Sequence, residues 1–169
     1  VYVDKALVNY EKYMNLTDYS LSSRMRHADF LVLAGEFKAL EAEANKMVEL
    51  DKVNPRILRY LGISAFQNGN YEVAIKSLES FIANPSNKII AMDYQTLGFA
   101  KIKMAVGEDG KAVDNALFDS GILDVKKSAE DFIQKLKDSG NTVEEVEFDL
   151  IDYLIPTYYV LTTAEASSN

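Results

Sequence analysis

Four sets of residues recur at one spacing in this chain. Val3, Phe37 and Tyr71 stand 34 residues apart, as do Ala6, Leu40 and Ala74, then Tyr10, Ala44 and Leu78, then Tyr13, Met47 and Phe81. Any two amphipathic helices share an occasional match, because each repeats its apolar face every 3.6 residues. A whole pattern agreeing over two steps at one offset is instead the mark of an internal repeat, and periods of about 20–50 residues point to stacked supersecondary units. Each such unit buries its apolar face only against its neighbours.

The unit at 54–85, NPRILRYLGISAFQNGNYEVAIKSLESFIANP, shows the pattern most completely. Asn54 can cap a helix whose first turn tolerates Pro55. Leu58, Leu61, Ala65 and Phe66 follow as an apolar stripe, and Gly69-Asn70 ends it. Asn70 can cap a second helix carrying Tyr71, Ala74, Ile75, Leu78 and Phe81, and Asn84-Pro85 closes the unit. Gly62 and Ala74 are small residues expected to let the two helices approach closely.

The remaining chain fits this frame with growing departures. Residues 3–14 read as the second helix of a half repeat. Residues 20–52 form a full unit, LSSRMRHADFLVLA then FKALEAEANKMVEL, with Gly35 placed 34 before Gly69. After Pro85 the register slips: Leu97-Gly98 lies 36 residues beyond Leu61-Gly62, so two residues are inserted around 86–91. The unit at 86–118 is degenerate, with a helix over NKIIAMDYQTLGFAKIKMAVG, a poor second segment around Ala112–Phe118 and a break at 119–124. C-terminal helices are expected over 124–166: one at about 124–138, and one from Thr142 toward Leu154, where Thr-Val-Glu-Glu resembles a capping box.

The leucine-glycine pair, the Gly-x-Tyr turn, the following alanine and the closing proline resemble a tetratricopeptide repeat (TPR). The resemblance implies an all-α fold, an antiparallel helix-pair solenoid of right-handed twist, over 1–169 as a single domain. The runs LSSRMRHADFLVLAGEF and NKIIAMDYQTLG further resemble exported TPR proteins of Bacteroidetes, which implies a periplasmic or envelope-associated location, with the cytoplasm as the alternative. The chain starts at valine, so an initiator methionine and any targeting signal with it are expected to lie upstream.

Composition excludes several classes. With 48% hydrophobic and 26% charged residues the chain is that of a folded domain rather than a disordered one. It has no cysteine, so thiolate chemistry and disulfides are excluded. A net charge of −8 argues against a nucleic-acid binder, which needs a basic surface to release counterions. No apolar run approaches the roughly 18–20 residues of a membrane span, so no membrane insertion is expected. Glu108 to Asp119 lacks the alternating oxygen ligands of an EF-hand, no glycine loop cradles phosphate, and no serine sits in a nucleophile elbow. His27, the only histidine, has no second histidine for a metal site and is read as structural. Glu41, Glu43 and Glu49 are read as a solvated face. No catalytic residue, cofactor or metal is expected, and the chain is read as a non-enzyme.

What remains is surface. In a TPR stack the first helices line the concave side. Here they carry Arg24, Arg26, Arg56, Arg59, Lys88, Lys101 and Lys103 against Asp29 and Asp93, while the second helices are mostly acidic. Arg56 adds a cation near a helix N-terminus, where it opposes the macrodipole. A basic groove suits a protein or peptide partner of acidic character; the competing reading is that these cations pair with neighbouring carboxylates. The groove residues expected are Arg26, Arg56, Arg59, Phe66, Gln95, Phe99 and Lys103. The carboxylate clamp of chaperone-binding TPR domains uses asparagines where this chain has Ile63 and Phe99, which disfavours that activity. A glycan or other small ligand bound by inner aromatics is the second reading, and a structural spacer in a longer array the third. At the N-terminal edge, Val3, Leu7, Tyr10 and Met14 are expected to leave apolar surface for upstream repeats or a second copy.

Overall fold

The computed structural model describes residues 2–144 in the backbone and, from residue 5, in the side chains. The described residues form seven α-helices: α1 (Tyr2–Leu16), α2 (Leu21–Ala34), α3 (Phe37–Leu50), α4 (Pro55–Gln67), α5 (Tyr71–Ile82), α6 (Ala91–Ala105) and α7 (Asn115–Asp138). No strand is present among them, and the fold is all-α. Each helix from α1 to α6 packs on the next, and α2 also touches α4, as α4 touches α6.

The turns explain this order. Gly35 and Gly69 adopt φ values of 71° and 82°, a left-handed conformation that a side chain disfavours, and each reverses the chain immediately after a helix. Gly35 N–H donates to the carbonyls of α2's last turn. Asn54 caps α4 by accepting from Arg56 N–H at 3.1 Å. Asn70 does not cap α5 with its side chain, contrary to expectation. Its amide donates instead to the Glu41 carboxylate at 2.7 Å, tying that turn to α3.

The main core joins three helices. Ala28 and Leu31 of α2, Leu40, Ala44 and Met47 of α3, and Ile57, Tyr60 and Leu61 of α4 are all buried, with Leu7 of α1 packed on them. Ala65, Ala74 and Ala100 form a second cluster where α4, α5 and α6 meet. Ala74 is thus buried, packed with Ala65 and Ala100. A Cβ on Gly62 would come within 2.6 Å of the Leu78 side chain, so that glycine makes room for a leucine of α5.

The third pair departs from expectation. α6 starts at Ala91 rather than 87, because Ile90 is extended and its N–H donates to the Asp93 carboxylate at 2.8 Å. Residues 106–114 form a tight turn closed by a bridge between Val106 and Ala112. Asp114 then accepts from Leu117 N–H at 3.0 Å and starts α7. No break occurs at 119–124: α7 runs through it. Gly121 does not punctuate the chain; it faces Gly98 of α6. A Cβ on either glycine would lie 2.6–2.7 Å from the other's carbonyl oxygen, so the absence of side chains is what lets these two backbones meet.

The chain divides into a unit at Val1–Gln134 and one at Lys135–Asn169, and the described residues of the second are 135–144. Of the second, the end of α7 is capped by the Asn141 amide donating to the Leu136 carbonyl at 3.1 Å. Residues 141–144 carry no helix. The rest of the helix expected from Thr142 toward Leu154, and of the stretch to 166, lies outside the described residues.

Candidate functional site

The first helices of the three pairs, α2, α4 and α6, carry the residues singled out above, and ion pairs between helices decide which of them are available. Arg59 of α4 meets Asp93 of α6 through two hydrogen bonds, Nε to Oδ1 at 2.8 Å and Nη2 to Oδ2 at 2.7 Å. The same Nη2 donates to the Lys88 carbonyl at 2.7 Å, and the guanidinium lies 4.5 Å from the centre of the Phe81 ring. Asp93 is 1% exposed. A buried carboxylate held by a two-point guanidinium is a structural tie between helices, since both charges are satisfied internally.

Arg56 forms the matching tie in the other direction. Its Nη2 donates to Asp29 of α2 at 2.8 and 2.9 Å and to the Tyr60 hydroxyl at 2.8 Å, and Tyr60 itself donates to Asp29. Burial first, then the hydrogen bond to Asp29, push the Tyr60 hydroxyl up to about 12. Both Arg56 and Asp29 remain about half exposed. Arg24 pairs with Glu43 at 2.6 Å, and Lys101 reaches Asp124 at 2.8 Å and Glu79 at 3.1 Å. Glu43 is therefore no part of a solvated face: at 6% exposure it is buried beneath Arg24, at the position 34 before the buried Ser77. Glu41 likewise accepts from Asn70.

Four of the seven cations on the first helices and their leads are thus engaged by carboxylates. Arg26 meets the Tyr13 hydroxyl of α1 at 3.2 Å, and Lys88 and Lys103 are exposed. None of these three has a carboxylate partner among the described residues.

The apolar members divide similarly. Phe66 is half-buried against the alanine cluster, its ring centre 6.0 Å from that of Tyr71. Phe99 is 41% exposed and Met92 57% exposed. Met92, Gln95, Phe99 and Lys103 recur at three- and four-residue steps, so α6 presents them along one face. Gln95 and Met92 also line an open depression of about 410 Å³ with Val125, Ser128 and Phe132 of α7. The structure brings Gln95, Phe99 and Lys103 onto one stripe, with Arg56, Arg59 and Phe66 on the adjoining helix. Arg26 stands apart, turned toward α1.

The helix expected at 124–138 carries the α7 side of that depression, but sequence reasoning does not place it beside α6: Gly121, which faces Gly98 and brings the two helices together, reads as a stop.

His27 stacks on Tyr10 with ring centres 5.4 Å apart, and its Nδ1 is buried without a hydrogen-bond partner. Burial holds it below the ordinary histidine value of 6.5. Among the described residues no group of three or more histidine or acidic side chains is placed to hold a metal ion, and no helix is long and apolar enough to cross a membrane.

No family model matches the chain. Parts of it are similar to one of the subunits of glutamyl-tRNA(Gln) amidotransferase from several bacteria. The protein of Acinetobacter baumannii is 41% identical over 46 residues, which is 27% of this chain and 9% of that relative. That of Staphylococcus saprophyticus is 41% identical over 69 residues, covering 38% of this chain and 14% of the relative. That of Lachnospira eligens is 36% identical over 85 residues, covering 41% and 18%. The chain thus spans less than a fifth of each of these relatives, too little to assign a family or an enzymatic activity.

Proposed function

We propose that the protein is a non-enzymatic helical-repeat scaffold of the TPR type that binds a protein or peptide segment along its first helices. The 34-residue recurrence supports the repeat assignment, together with helix pairs whose turn glycines fall 34 residues apart. The proposed location, the periplasm or the cell envelope, rests on the sequence resemblance.

The single observation that carries the binding reading is the stripe on α6. Met92 and Phe99 are large apolar side chains left exposed, and Lys103 follows one turn later without a carboxylate partner among the described residues. Exposed aromatic and methionine side chains grouped on a rigid support mark interaction surfaces. The support is rigid here because Arg59–Asp93 and Arg56–Asp29 link α2, α4 and α6 in series. With most cations already paired, the partner is recognised first by an apolar side chain over Phe99 and Met92, and second by a carboxylate at Lys103.

Selection of displayed twelve-residue peptides against the protein tests this reading. Enriched peptides are expected to carry an apolar residue near an acidic one and to lose binding to Phe99→Ser and Lys103→Glu variants. Failure to enrich, or binding indifferent to both substitutions, would count against the reading.

A further inference from the structure

Among the described helices, the backbone of α1 approaches that of α2 alone. The contact is aromatic at its centre. Tyr10 of α1 lies on both His27 and Phe30 of α2, each pair of rings inclined by 28°, with centres 5.4 and 4.9 Å apart. Leu7, one turn earlier, packs on the main core, and Met14, one turn later, is 2% exposed. Arg26 adds a hydrogen bond to the Tyr13 hydroxyl at 3.2 Å.

His27 is the group in this contact that changes charge near neutral pH. Its Nδ1 is buried and has no hydrogen-bond partner. A neutral imidazole can turn a bare lone pair to that spot, whereas the imidazolium carries an N–H at both nitrogens. Protonation would therefore bury a donor without an acceptor, together with its charge. The charged groups acting on the ring are Glu11 from α1, Arg24 from α2, and Glu43 and Lys46 from α3. They give little relief. Glu43 is taken by Arg24 at 2.6 Å and lies 3.8 Å from Lys46, and Glu11 accepts from the Tyr19 hydroxyl at 3.3 Å. Tyr10 and Tyr13 are neutral in this range. Burial prevails over the mixed charges and holds the ring below its ordinary value of 6.5.

The ring can regain water without loss of the main core. Lifting α1 exposes Leu7 and Met14, but Leu31, Leu40, Met47 and Ile57, which join α2, α3 and α4, pack among themselves. We propose that α1 is an acid-released element and that His27 is its latch: the neutral ring lets Tyr10 lie on α2, and protonation favours the state in which α1 has lifted and the imidazolium is in water. One proton is taken up on release. Docking of α1 is thus at full strength above pH 6.5 and weakens as the pH falls through the lower, docked-state value, by at most about tenfold per pH unit. The device is separate from the α6 stripe and does not depend on what binds there.

Native-state hydrogen exchange between pH 7 and pH 5 tests the latch, with each amide corrected for its intrinsic exchange rate. A lifted helix of 15 residues frays in water, so its amides report release. The window lies above the ordinary carboxylate values of about 4, so Glu11 and Glu43 stay charged throughout. From pH 7 to pH 5 the protection of α1 amides is expected to fall about threefold to tenfold more than that of α4 amides. In His27→Leu and His27→Gln chains, which have no ionising group at that position, α1 protection is expected to stay level relative to α4. The Gln variant guards against a repacking peculiar to Leu. Protection of α1 that ignores pH, that falls only in step with α4, or that falls to the same extent in both variants would overturn the proposal.

Discussion

At the scale of single residues, burial separates two ion pairs that look alike in sequence. Arg59 and Arg56 are both arginines of α4 reaching an aspartate on a neighbouring first helix, yet Asp93 is 1% exposed while Asp29 is half exposed. Removing the cation from a buried carboxylate strands a charge away from water, at a cost of about 3–5 kcal/mol. Removing it from an exposed one costs under about 1 kcal/mol. Urea unfolding of Arg59→Gln and Arg56→Gln is expected to show this difference, and equal losses would contradict it. His27 gives a second test. Because burial lowers its folded-state value below 6.5, the unfolded chain takes up a proton that the fold resists. Stability contributed by the neutral ring is therefore fully present above pH 6.5 and is lost as the pH falls through the lower, folded-state value. His27→Leu, which installs the residue found at Leu61, is expected to remove that part of the acid slope. As the chain's only histidine, His27 also has a ring proton resonance that can be followed alone; a midpoint at or above 6.5 would contradict the burial argument.

At the scale of helices, packing turns on where side chains are missing. Gly98 and Gly121 each place the opposite backbone where a Cβ would go. Gly98→Ala and Gly121→Ala are therefore expected to cost about 1–3 kcal/mol through overpacking, despite alanine's better helix propensity. Gly62→Ala meets the Leu78 side chain, which has rotamers to use, and is expected to cost less; thermal unfolding ranks the three. The same glycines show what is legible in the sequence. The helices from α2 to α5 are readable to within a residue or two, because the 34-residue recurrence and turn glycines fix their ends locally. The latter part of α7, 124–138, is readable too, but its start is not, because a glycine that breaks a helix and one that admits a neighbouring backbone look identical until the neighbour is known. Glu43 is misread for a similar reason: its partner Arg24 is on another helix, and helical periodicity alone does not record pairing between helices. The charge count on the first helices is legible, but its consequence is not, since four of the cations are engaged by carboxylates at sequence separations of 19 to 34 residues.

At the scale of the molecule, these ties and clusters divide labour along the chain. α2 and α3 with α4 supply the largest buried core, and the Arg56–Asp29 and Arg59–Asp93 links carry that order on to α6. The exposed apolar stripe thus sits on a helix tied to α4 through Arg59–Asp93, packed on α5, and flanked at Met92 and Gln95 by α7. On the proposed reading, this separation would let a partner be recognised without rearranging the core. It also makes substitutions on the stripe informative: Phe99→Ser and Lys103→Glu are expected to change the unfolding midpoint little, because both side chains are exposed. The most direct measurement is an amide chemical-shift map of the protein with a peptide selected for binding. Shifts concentrated on Met92, Gln95, Phe99 and Lys103, extending to Phe66 and absent from the exposed sides of α3 and α5, are the expected result. Shifts confined to α3 and α5, or a selected peptide that leaves α6 unmoved, would contradict the assignment of the first helices as the binding face.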